Sequence, residues 1–318
     1  MKSELLFAKP HHPLLVTPAG DASLGALLDY FVGNKMLLQQ LLLQHGGILF
    51  RGYQLNGSAD FAACVASLSG TPFSYVGGNS PRTHVEKEVY TSTEHPASDT
   101  ISLHHEMSYL PVPPKRIFFY CEEPSKMGGQ TSLANSLNVL HSIPSEIVEE
   151  FRRKKLNYIR TFHPEGHFGK SWQETYFTDD IDEALDQIES QGSIYRWLDD
   201  GSLQVSTLLD AVITHPESGD DVWFNQAEQW HPSALRSDVR VMFEKNYGNA
   251  HFAHHCEYGD GTPLDEDRLR EIRGVLNENK LLFKWEKNDL LMLDNVLMMH
   301  GRESFEGKRK VLTYLSVT

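Results

Sequence analysis

The most informative segment for the fold is DLLMLDNVLMMHGR, residues 289–302. Residues 289–293 predict a strand, Asp294 and Asn295 a turn, and residues 296–300 a second strand, because a turn-forming pair separates two apolar runs of strand length. His300 is the first polar residue after the second apolar run, which places it at the end of a buried strand. A lone histidine there is usually a core or capping residue, so its role depends on the rest of the chain.

Other short strands surround this segment in the sequence, notably at residues 48–51, 116–121 and 311–317. Many short strands with scattered helices predict a mainly β fold with helical insertions around a double-stranded β-helix (jelly-roll) core. No linker, repeat or low-complexity segment divides the chain, so we expect one domain over residues 1–318 with a helical insertion at about residues 140–280. The predicted helices span residues 21–44 (ending at Gly46-Gly47), 58–68, 145–153, 180–190 and 265–277.

The triplet His-x-Glu is weak evidence for a metal site, since it occurs at residues 84–86, 104–106, 163–165, 215–217 and 255–257. Only the second follows a clear short strand, TISL at residues 100–103. Alternate residues of a strand share one face, so we expect His104 and Glu106 on the same side. Two of the others contain proline in loop-like stretches, and the last has no partner ligand in matching register. We therefore predict His104, Glu106 and His300 as the ligands.

Two histidines and one carboxylate can hold a ferrous ion on one face and leave the opposite coordination positions open. The turn GGQT, residues 128–131, follows the first two ligands, and Arg309 follows the third by nine residues. A hydroxyl from Thr131 and the planar fork of Arg309 suit a small dicarboxylate bound to the same iron. Lys310 adjoins Arg309, and the sequence leaves open which of the two cations meets that dicarboxylate.

These motifs resemble the iron(II)/2-oxoglutarate oxygenases of the taurine dioxygenase-like (TauD/TfdA) superfamily. The resemblance covers about Gly46 to the C-terminus and rests on HHEMSY at residues 104–109, GGQT at 128–131, and HGR at 300–302 with GKR at 307–309. The chain is more similar to the SyrP-like and clavaminate synthase-like branch, whose triad acid is Glu. His105 departs from that branch, which often has a small polar residue there.

The resemblance implies that the protein requires Fe(II), 2-oxoglutarate as co-substrate and O2. His104, Glu106 and His300 would hold the iron at the catalytic centre, while Thr131 and Arg309 would bind 2-oxoglutarate. Similar iron halogenases have a small residue in place of the triad acid, so Glu106 disfavours halogenation. Hydroxylation is the expected reaction, and epoxidation, ring closure or desaturation, for example of an amide-type substrate, is the alternative.

The same resemblance implies an amino acid or amino-acid derivative as substrate, free or bound to a carrier protein, in specialised (antibiotic) biosynthesis. Asn79, Ser80 and Arg82 form a loop that could read a carboxylate or amide, although a simple proline-containing turn fits equally well. Trp223 and Phe224, in a second stretch, fit the core better than a substrate site. Two other classes stay open: a non-catalytic cupin-like metal-binding protein, which has no need of a co-substrate grip, and a zinc hydrolase, which would be indifferent to 2-oxoglutarate.

The net charge of −14, from 29 Lys and Arg against 43 Asp and Glu, disfavours a nucleic-acid partner. Local arginines can still reverse the field in a cleft, and Arg82, Arg302 and Arg309 are the candidates. Three cysteines without metal-type spacing argue against a disulfide framework. No secretory signal or apolar run of about 18 residues is present, so we expect a cytoplasmic protein without a membrane partner. The oligomeric state is not predicted.

Overall fold

The computed structural model describes residues 1–7, 12–68, 71–79, 82–86, 89–92, 95–164, 169–248 and 251–318. Its strands are β1 Lys2–Leu5, β2 Leu14–Thr17, β3 Gly47–Phe50, β4 His84–Glu86, β5 Val89–Thr91, β6 Ile101–His104, β7 Arg116–Glu123, β8 Met127–Gly128, β9 Thr131–Asn135, β10 Leu156–Phe162, β11 Ile194–Trp197, β12 Leu203–Leu209, β13 Val212–Thr214, β14 Asp221–Trp223, β15 His254–Tyr258, β16 Leu281–Phe283, β17 Leu290–Asp294, β18 Met298–Arg302, β19 Phe305–Glu306 and β20 Lys310–Ser316. Its helices are α1 Leu24–Gly33, α2 Lys35–His45, α3 Ser58–Leu68, α4 Ser136–Ser142, α5 Ser145–Lys154, α6 Trp172–Tyr176, α7 Ile181–Ser190, α8 Ala227–Trp230, α9 Ser237–Tyr247 and α10 Glu266–Asn279.

Two sheets form the jelly-roll core. The larger has the strand order β1-β2-β3-β17-β7-β20-β5-β4, and the smaller has the order β16-β9-β18-β6. Strands β17 and β18 are consecutive in the chain but belong to different sheets. Asp294 makes the turn between them by accepting hydrogen bonds from the N–H groups of Val296 and Leu297. The predicted double-stranded β-helix is confirmed, and its two most informative strands connect the two sheets.

The apolar core lies on both faces of the larger sheet, and side-chain alternation along the strands divides it. In β7, Ile117, Phe119 and Cys121 face the smaller sheet, whereas Phe118 and Tyr120 pack against α1, α2 and α3. Strands β3 and β17 alternate in the same way. A sheet buried on both faces needs apolar residues at every position, which explains why these strands read as continuous apolar runs.

The first predicted helix is two helices in the structure. Asn34 interrupts residues 21–44 with non-helical backbone angles (φ −128°, ψ 23°), which separates α1 from α2. The predicted stop is confirmed, because Gly46 ends α2 in the left-handed region at φ +67°. None of the helices in the described part of the chain is long and apolar enough to cross a membrane.

Residues 140–280 contain the three predicted helices, which are α5, α7 and α10, and also α6, α8 and α9, which the sequence did not predict. They also contain a four-stranded sheet, of order β11-β12-β10-β15, whose strands the sequence did not locate. Strand β10 pairs with β12 along its full length, from Leu156 opposite Leu209 to Phe162 opposite Leu203. Polar residues in β10 (LNYIRTF) and β15 (HHCEY) weaken the apolar alternation by which such strands are recognised. Two of those polar residues, Arg160 and His254, reach the cavities described below.

Candidate metal centre

Three predicted ligands converge at one end of the smaller sheet. His104 is the last residue of β6 and lies directly opposite His300 of β18, with the two ring centroids 4.4 Å apart. The Oε2 atom of Glu106 is 3.7 Å from Nε2 of His300. The ligand atoms of the three residues lie within 4.8 Å of one another, and no other such trio of His, Cys, Asp or Glu occurs in the residues described. One metal ion can therefore contact all three side chains.

Glu106 reaches this position from a turn and not from a strand face. Strand β6 ends at His104, and Met107 adopts a left-handed conformation at φ +54°. Asn295 fixes the turn: its Oδ1 accepts from the N–H of Glu106 (2.8 Å), and its Nδ2 donates to the carbonyls of Glu106 (2.9 Å) and Pro114 (2.8 Å). The fully buried Asn295 belongs to the β17–β18 turn. The segment from β17 through this turn to β18 thus carries His300 and orients Glu106.

Replacing Asn295 by alanine should weaken Fe(II) binding and destabilise the protein together. The variant leaves three buried backbone groups without their partner, and each costs about 1–3 kcal/mol. Loss of an orienting partner behind a ligand lowers metal affinity roughly 10- to 100-fold. Anaerobic Fe(II) titration and thermal unfolding measure the two effects. The control is Asn157→Ala, which removes a side-chain hydrogen bond to Glu257 in the sheet that contains β10 and β15. Unchanged Fe(II) affinity in Asn295→Ala would show that Glu106 is held by other contacts.

His104 and Glu106 are in the protonation states that a metal requires. The Nδ1 of His104 donates to the carbonyl of Ser102 (2.8 Å), so its Nε2 lone pair is free for a metal. Burial, with the nearby His300, lowers the pKa of His104 to about 4 and keeps the ring neutral. Burial alone would raise the pKa of Glu106, but the Arg82 guanidinium and His300 lower it to about 2. Two imidazole nitrogens and one carboxylate oxygen match the facial donor set of non-haem iron.

Thr131 and Arg309 both line the cavity that holds the triad. Trp285, which the sequence did not single out, donates its indole N–H to Oγ1 of Thr131 at 2.8 Å. Because the indole can only donate, the hydroxyl hydrogen of Thr131 remains available to an anionic ligand. Arg309 packs on the GGQT turn, where its Nε donates to the carbonyl of Gly129. A Cβ at Gly129, which has φ +66°, would lie 2.4 Å from Oγ of Ser125 and 3.1 Å from Cδ of Arg309, so any side chain here would be strained and crowded.

Of the two neighbouring cations, Arg309 lines the triad cavity, whereas Lys310 is not among the described lining residues. Lys310 is exposed and pairs with Glu122 at 2.5 Å. Burial, with the positive charge of Arg302, lowers the pKa of Arg309 to about 10, and no carboxylate among the described residues pairs with it. Arg302 is occupied by the carbonyls of residues 95, 96 and 99. A half-buried guanidinium without a counter-ion is stabilised by an anionic ligand.

The structure describes two of the three predicted substrate residues. The Arg82 side chain is only 4% exposed and donates from Nη2 to Oε2 of Glu106 at 2.7 Å. Its Nε and Nη1 are buried and meet no hydrogen-bond partner in the described residues. Asn79 lines the same cavity, and its backbone N–H donates to the hydroxyl of Tyr109. Ser80 lies outside the described residues.

Residues 223–226 contribute side chains both to the apolar core and to the metal cavity. Trp223 is 1% exposed, as predicted for a core residue, and Phe224 packs on the ring of His105 with centroids 4.6 Å apart. Gln226 lines the cavity and donates from Nε2 to the carbonyl of His105 and to Oγ of Ser108. Gln226 therefore braces the turn that presents Glu106.

The other His-x-Glu triplets do not join a ligand group in the part of the chain that the structure describes. His255 lies on β15, and Glu257 two residues later accepts a hydrogen bond from Asn157. His215 contacts Asp294 near the β17–β18 turn. The triplets at residues 84–86 and 163–165 fall partly outside the described side chains. The strand that precedes His104 in the sequence therefore identified the triplet whose histidine and glutamate lie together at the candidate metal centre.

The cavity around the triad has a volume of about 210 Å³. Its lining includes the guanidinium groups of Arg82, Arg302 and Arg309, whereas Glu106 is the one acidic side chain among the described lining residues. The three arginines named from the sequence thus lie around one cavity, where they outnumber the acidic side chains of the described lining. The site therefore suits anionic small molecules.

Comparison with known proteins agrees with this geometry. The chain matches the "Taurine catabolism dioxygenase TauD, TfdA family" over residues 11–315. It is 34% identical to the dapdiamide synthesis protein DdaC of Enterobacter agglomerans, covering 96% of this chain and 91% of that protein. It is 30% identical to a clavaminate synthase-like protein of Arabidopsis thaliana, covering 97% and 94%.

Solved structures share the fold at lower sequence identity. PvcB of Pseudomonas aeruginosa superposes with a TM-score of 0.58 at 16% identity, covering 99% of this chain and 90% of PvcB. PvcB is described as an Fe, alpha-ketoglutarate dependent oxygenase from an isonitrile synthetic pathway. AAD-2, solved with Mn(II) and N-oxalylglycine, gives 0.60 at 14% identity, covering 99% and 97%. With a complete two-histidine, one-carboxylate centre and a family match over nearly its whole length, the chain belongs to the TauD/TfdA family and is an iron(II)- and 2-oxoglutarate-dependent dioxygenase.

Proposed function

We propose that this dioxygenase oxidises an amino acid or amino-acid derivative, free or bound to a carrier protein, in specialised metabolite biosynthesis, and that hydroxylation is its reaction. The relatives support this assignment by their settings: DdaC is a dapdiamide synthesis protein, and PvcB comes from an isonitrile synthetic pathway. The similarity to a clavaminate synthase-like protein is in keeping with the SyrP-like and clavaminate synthase-like branch.

The observation that carries the proposal is the arrangement of Arg82 beside the triad. One of its N–H groups donates to Oε2 of Glu106, so Arg82 contacts the carboxylate that would hold the iron. Its Nε and Nη1 are buried without a partner among the described residues, and each buried unpaired donor costs about 1–3 kcal/mol. A carboxylate or amide oxygen of a bound substrate would satisfy them. Arg82 would then link the position of the substrate to the position of a metal ligand.

The protein's own groups bind and orient both organic molecules. When bound, Fe(II) and 2-oxoglutarate supply the chemistry that activates dioxygen. Thr131 would donate its hydroxyl, and Arg309 its guanidinium fork, to the carboxylates of 2-oxoglutarate. Tyr109, Phe119 and Trp230 line the cavity and would exclude water from the reacting carbon. Each of these roles follows from a side chain that faces the cavity.

Glu106 also bears on the type of reaction. Its carboxylate fills the third ligand position and is fixed from behind by Arg82 and through its backbone by Asn295. A halide would need that position, so we expect oxidation without halogenation. Epoxidation or desaturation of an amide-type substrate uses the same residues and is the alternative. The mass of the product distinguishes these outcomes.

A substrate panel tests the proposal. Free amino acids, dipeptide-like amides and carrier-bound aminoacyl thioesters are scored by succinate release and product mass, with chloride present. A gain of about 16 mass units indicates hydroxylation or epoxidation, and a loss of about 2 indicates desaturation or ring closure. We expect Arg82→Ala to impair substrate-dependent succinate release, and metal content is measured in parallel because Arg82 contacts Glu106.

The control for this panel is Arg236→Ala, which removes an exposed arginine paired with Asp238. A chlorinated product would contradict the role given to Glu106. Succinate release triggered only by compounds unlike amino acids, and unaffected by Arg82→Ala at equal metal content, would overturn the substrate class.

A further inference from the structure

A narrow side pocket opens beside the metal cavity on the β10–β15 side. We term this side pocket the Arg160 pocket. Asn79 and His254 line both the Arg160 pocket and the metal cavity, whereas Arg160 and Lys170 line the Arg160 pocket and not the metal cavity. We propose that the Arg160 pocket binds a carboxylate of the substrate, separate from the group read by Arg82. The substrate would accordingly be an amino-acid derivative with a second acidic group. This inference rests on the proposed function and makes it more specific.

Arg160 is a buried cation with only neutral partners. It lies in β10, is 4% exposed, and donates to the carbonyl of Gly77 (2.8 Å) and the hydroxyl of Tyr176 (3.0 Å). The rings of Tyr109, Phe162 and Tyr176 lie 5.5–5.8 Å from its guanidinium carbon. No carboxylate of the described residues forms an ion pair with it. Arginine is seldom buried without an anion, because aromatic rings and carbonyls offset the desolvation of the charge only in part.

Lys170 adds a second positive charge to the same pocket. Its Nζ donates to the carbonyl of Gly78 (3.2 Å) and lies 5.5 Å from the centre of the Tyr75 ring. Burial lowers the pKa of Lys170. Glu174 is near enough to influence it, but that carboxylate accepts hydrogen bonds from the backbone and hydroxyl of Ser171 at the start of α6. The pocket therefore holds two cations and no ion-paired acid among its described residues.

Size and geometry favour a carboxylate as the occupant. The Arg160 pocket has a volume of about 40 Å³, enough for a head group of a few heavy atoms but not for a chain. A planar guanidinium next to an ammonium group matches the two oxygens of a carboxylate. The path to the metal cavity passes Asn79 and the ring of His254, which packs on Trp230 with centroids 4.8 Å apart. A substrate lying along this path would place one end near the triad and an acidic end at Arg160.

The test compares ligands that differ only in charge. Protein loaded anaerobically with Fe(II) and saturating 2-oxoglutarate is titrated by calorimetry with N-acetylglutamate and N-acetylglutamine, N-acetylaspartate and N-acetylasparagine, and adipate and its monoamide. We expect at least one acid to bind the wild type about tenfold or more tightly than its amide, the effect of one charge-assisted pair. Arg160→Gln should abolish that preference, and Lys170→Met should reduce it.

Two further variants separate binding from folding. Arg160→Lys keeps the positive charge and serves as a second variant in case Arg160→Gln disturbs the loop at Gly77. It should retain part of the preference for acids over amides. Arg196→Gln, an exposed arginine bonded to Gln204 on β12 of the same sheet, should retain all of it. Equal binding of acids and amides by the wild type, or binding of none, overturns the inference, as does a preference that survives in Arg160→Gln.

Failure of the proposed function gives a different result. If acids and amides stimulate succinate release equally, the Arg160 pocket does not read a carboxylate and the proposed substrate class stands. If acid binding requires Arg160 but succinate is released only with compounds that lack an amino-acid unit, the carboxylate-binding role of the Arg160 pocket is supported and the proposed substrate class is wrong.

Discussion

Replacement of His300 by alanine should abolish Fe(II) binding and leave the fold largely intact. The imidazole is one of three ligands, and it lies in β18 opposite His104 and 3.7 Å from the carboxylate of Glu106. Losing a ligand should lower Fe(II) affinity by more than the roughly 10- to 100-fold lost when only an orienting partner is removed. Anaerobic Fe(II) titration, metal content after desalting, and 2-oxoglutarate turnover measure the effect. Circular dichroism and thermal unfolding report on the fold.

His255→Ala is the matched control, because His255 also belongs to a His-x-Glu triplet on a strand but lies away from the triad on β15. That variant should bind Fe(II) like the wild type. Retained turnover in His300→Ala, or an equal loss in His255→Ala, would overturn the assignment of the ligands.

The sequence predicted the features that depend on local pattern. Apolar runs broken by a turn pair located β17 and β18 and placed His300 at a buried position. The strand before His104 distinguished one His-x-Glu triplet from four others. The GGQT turn and Arg309 follow their ligands in the chain, and in the structure they line the same cavity. These features were predictable because each lies within a few residues of a strand or turn with a clear composition.

The features that the sequence missed depend on contacts between distant positions. Asn295 lies 189 positions from Glu106, whose backbone it holds, and Trp285 lies 154 positions from Thr131, to which it donates. Neither contact leaves a periodic signal, because each uses one side chain at a turn or strand end. Glu106 has the predicted location but a different local conformation, since a turn replaced the expected strand. The sequence did not locate strand β10, because Arg160 interrupts its apolar pattern with a buried charge.

Arg309→Lys should raise the 2-oxoglutarate concentration needed for half-maximal activity, with a much smaller effect on substrate binding. The lysine keeps the positive charge but loses the planar fork that can pair with both oxygens of a carboxylate. Breaking a charge-assisted hydrogen bond costs about 1.5–3 kcal/mol, which corresponds to a rise of roughly 10- to 150-fold. Partial burial without a carboxylate partner among the described residues should make this position sensitive, because the bound co-substrate would supply the anion that Arg309 lacks. Succinate release as a function of 2-oxoglutarate concentration measures the effect at fixed Fe(II).

Lys310→Met provides the comparison that resolves the choice between the two neighbouring cations. Lys310 is exposed and pairs with Glu122, so its loss should leave the 2-oxoglutarate requirement unchanged. The weak visible band that forms when 2-oxoglutarate chelates Fe(II) can be titrated in both variants without turnover, which separates binding from catalysis. An unchanged requirement in Arg309→Lys together with a raised one in Lys310→Met would move the co-substrate contact to Lys310. Because Arg309 faces the triad and Lys310 faces Glu122, we expect the opposite pattern.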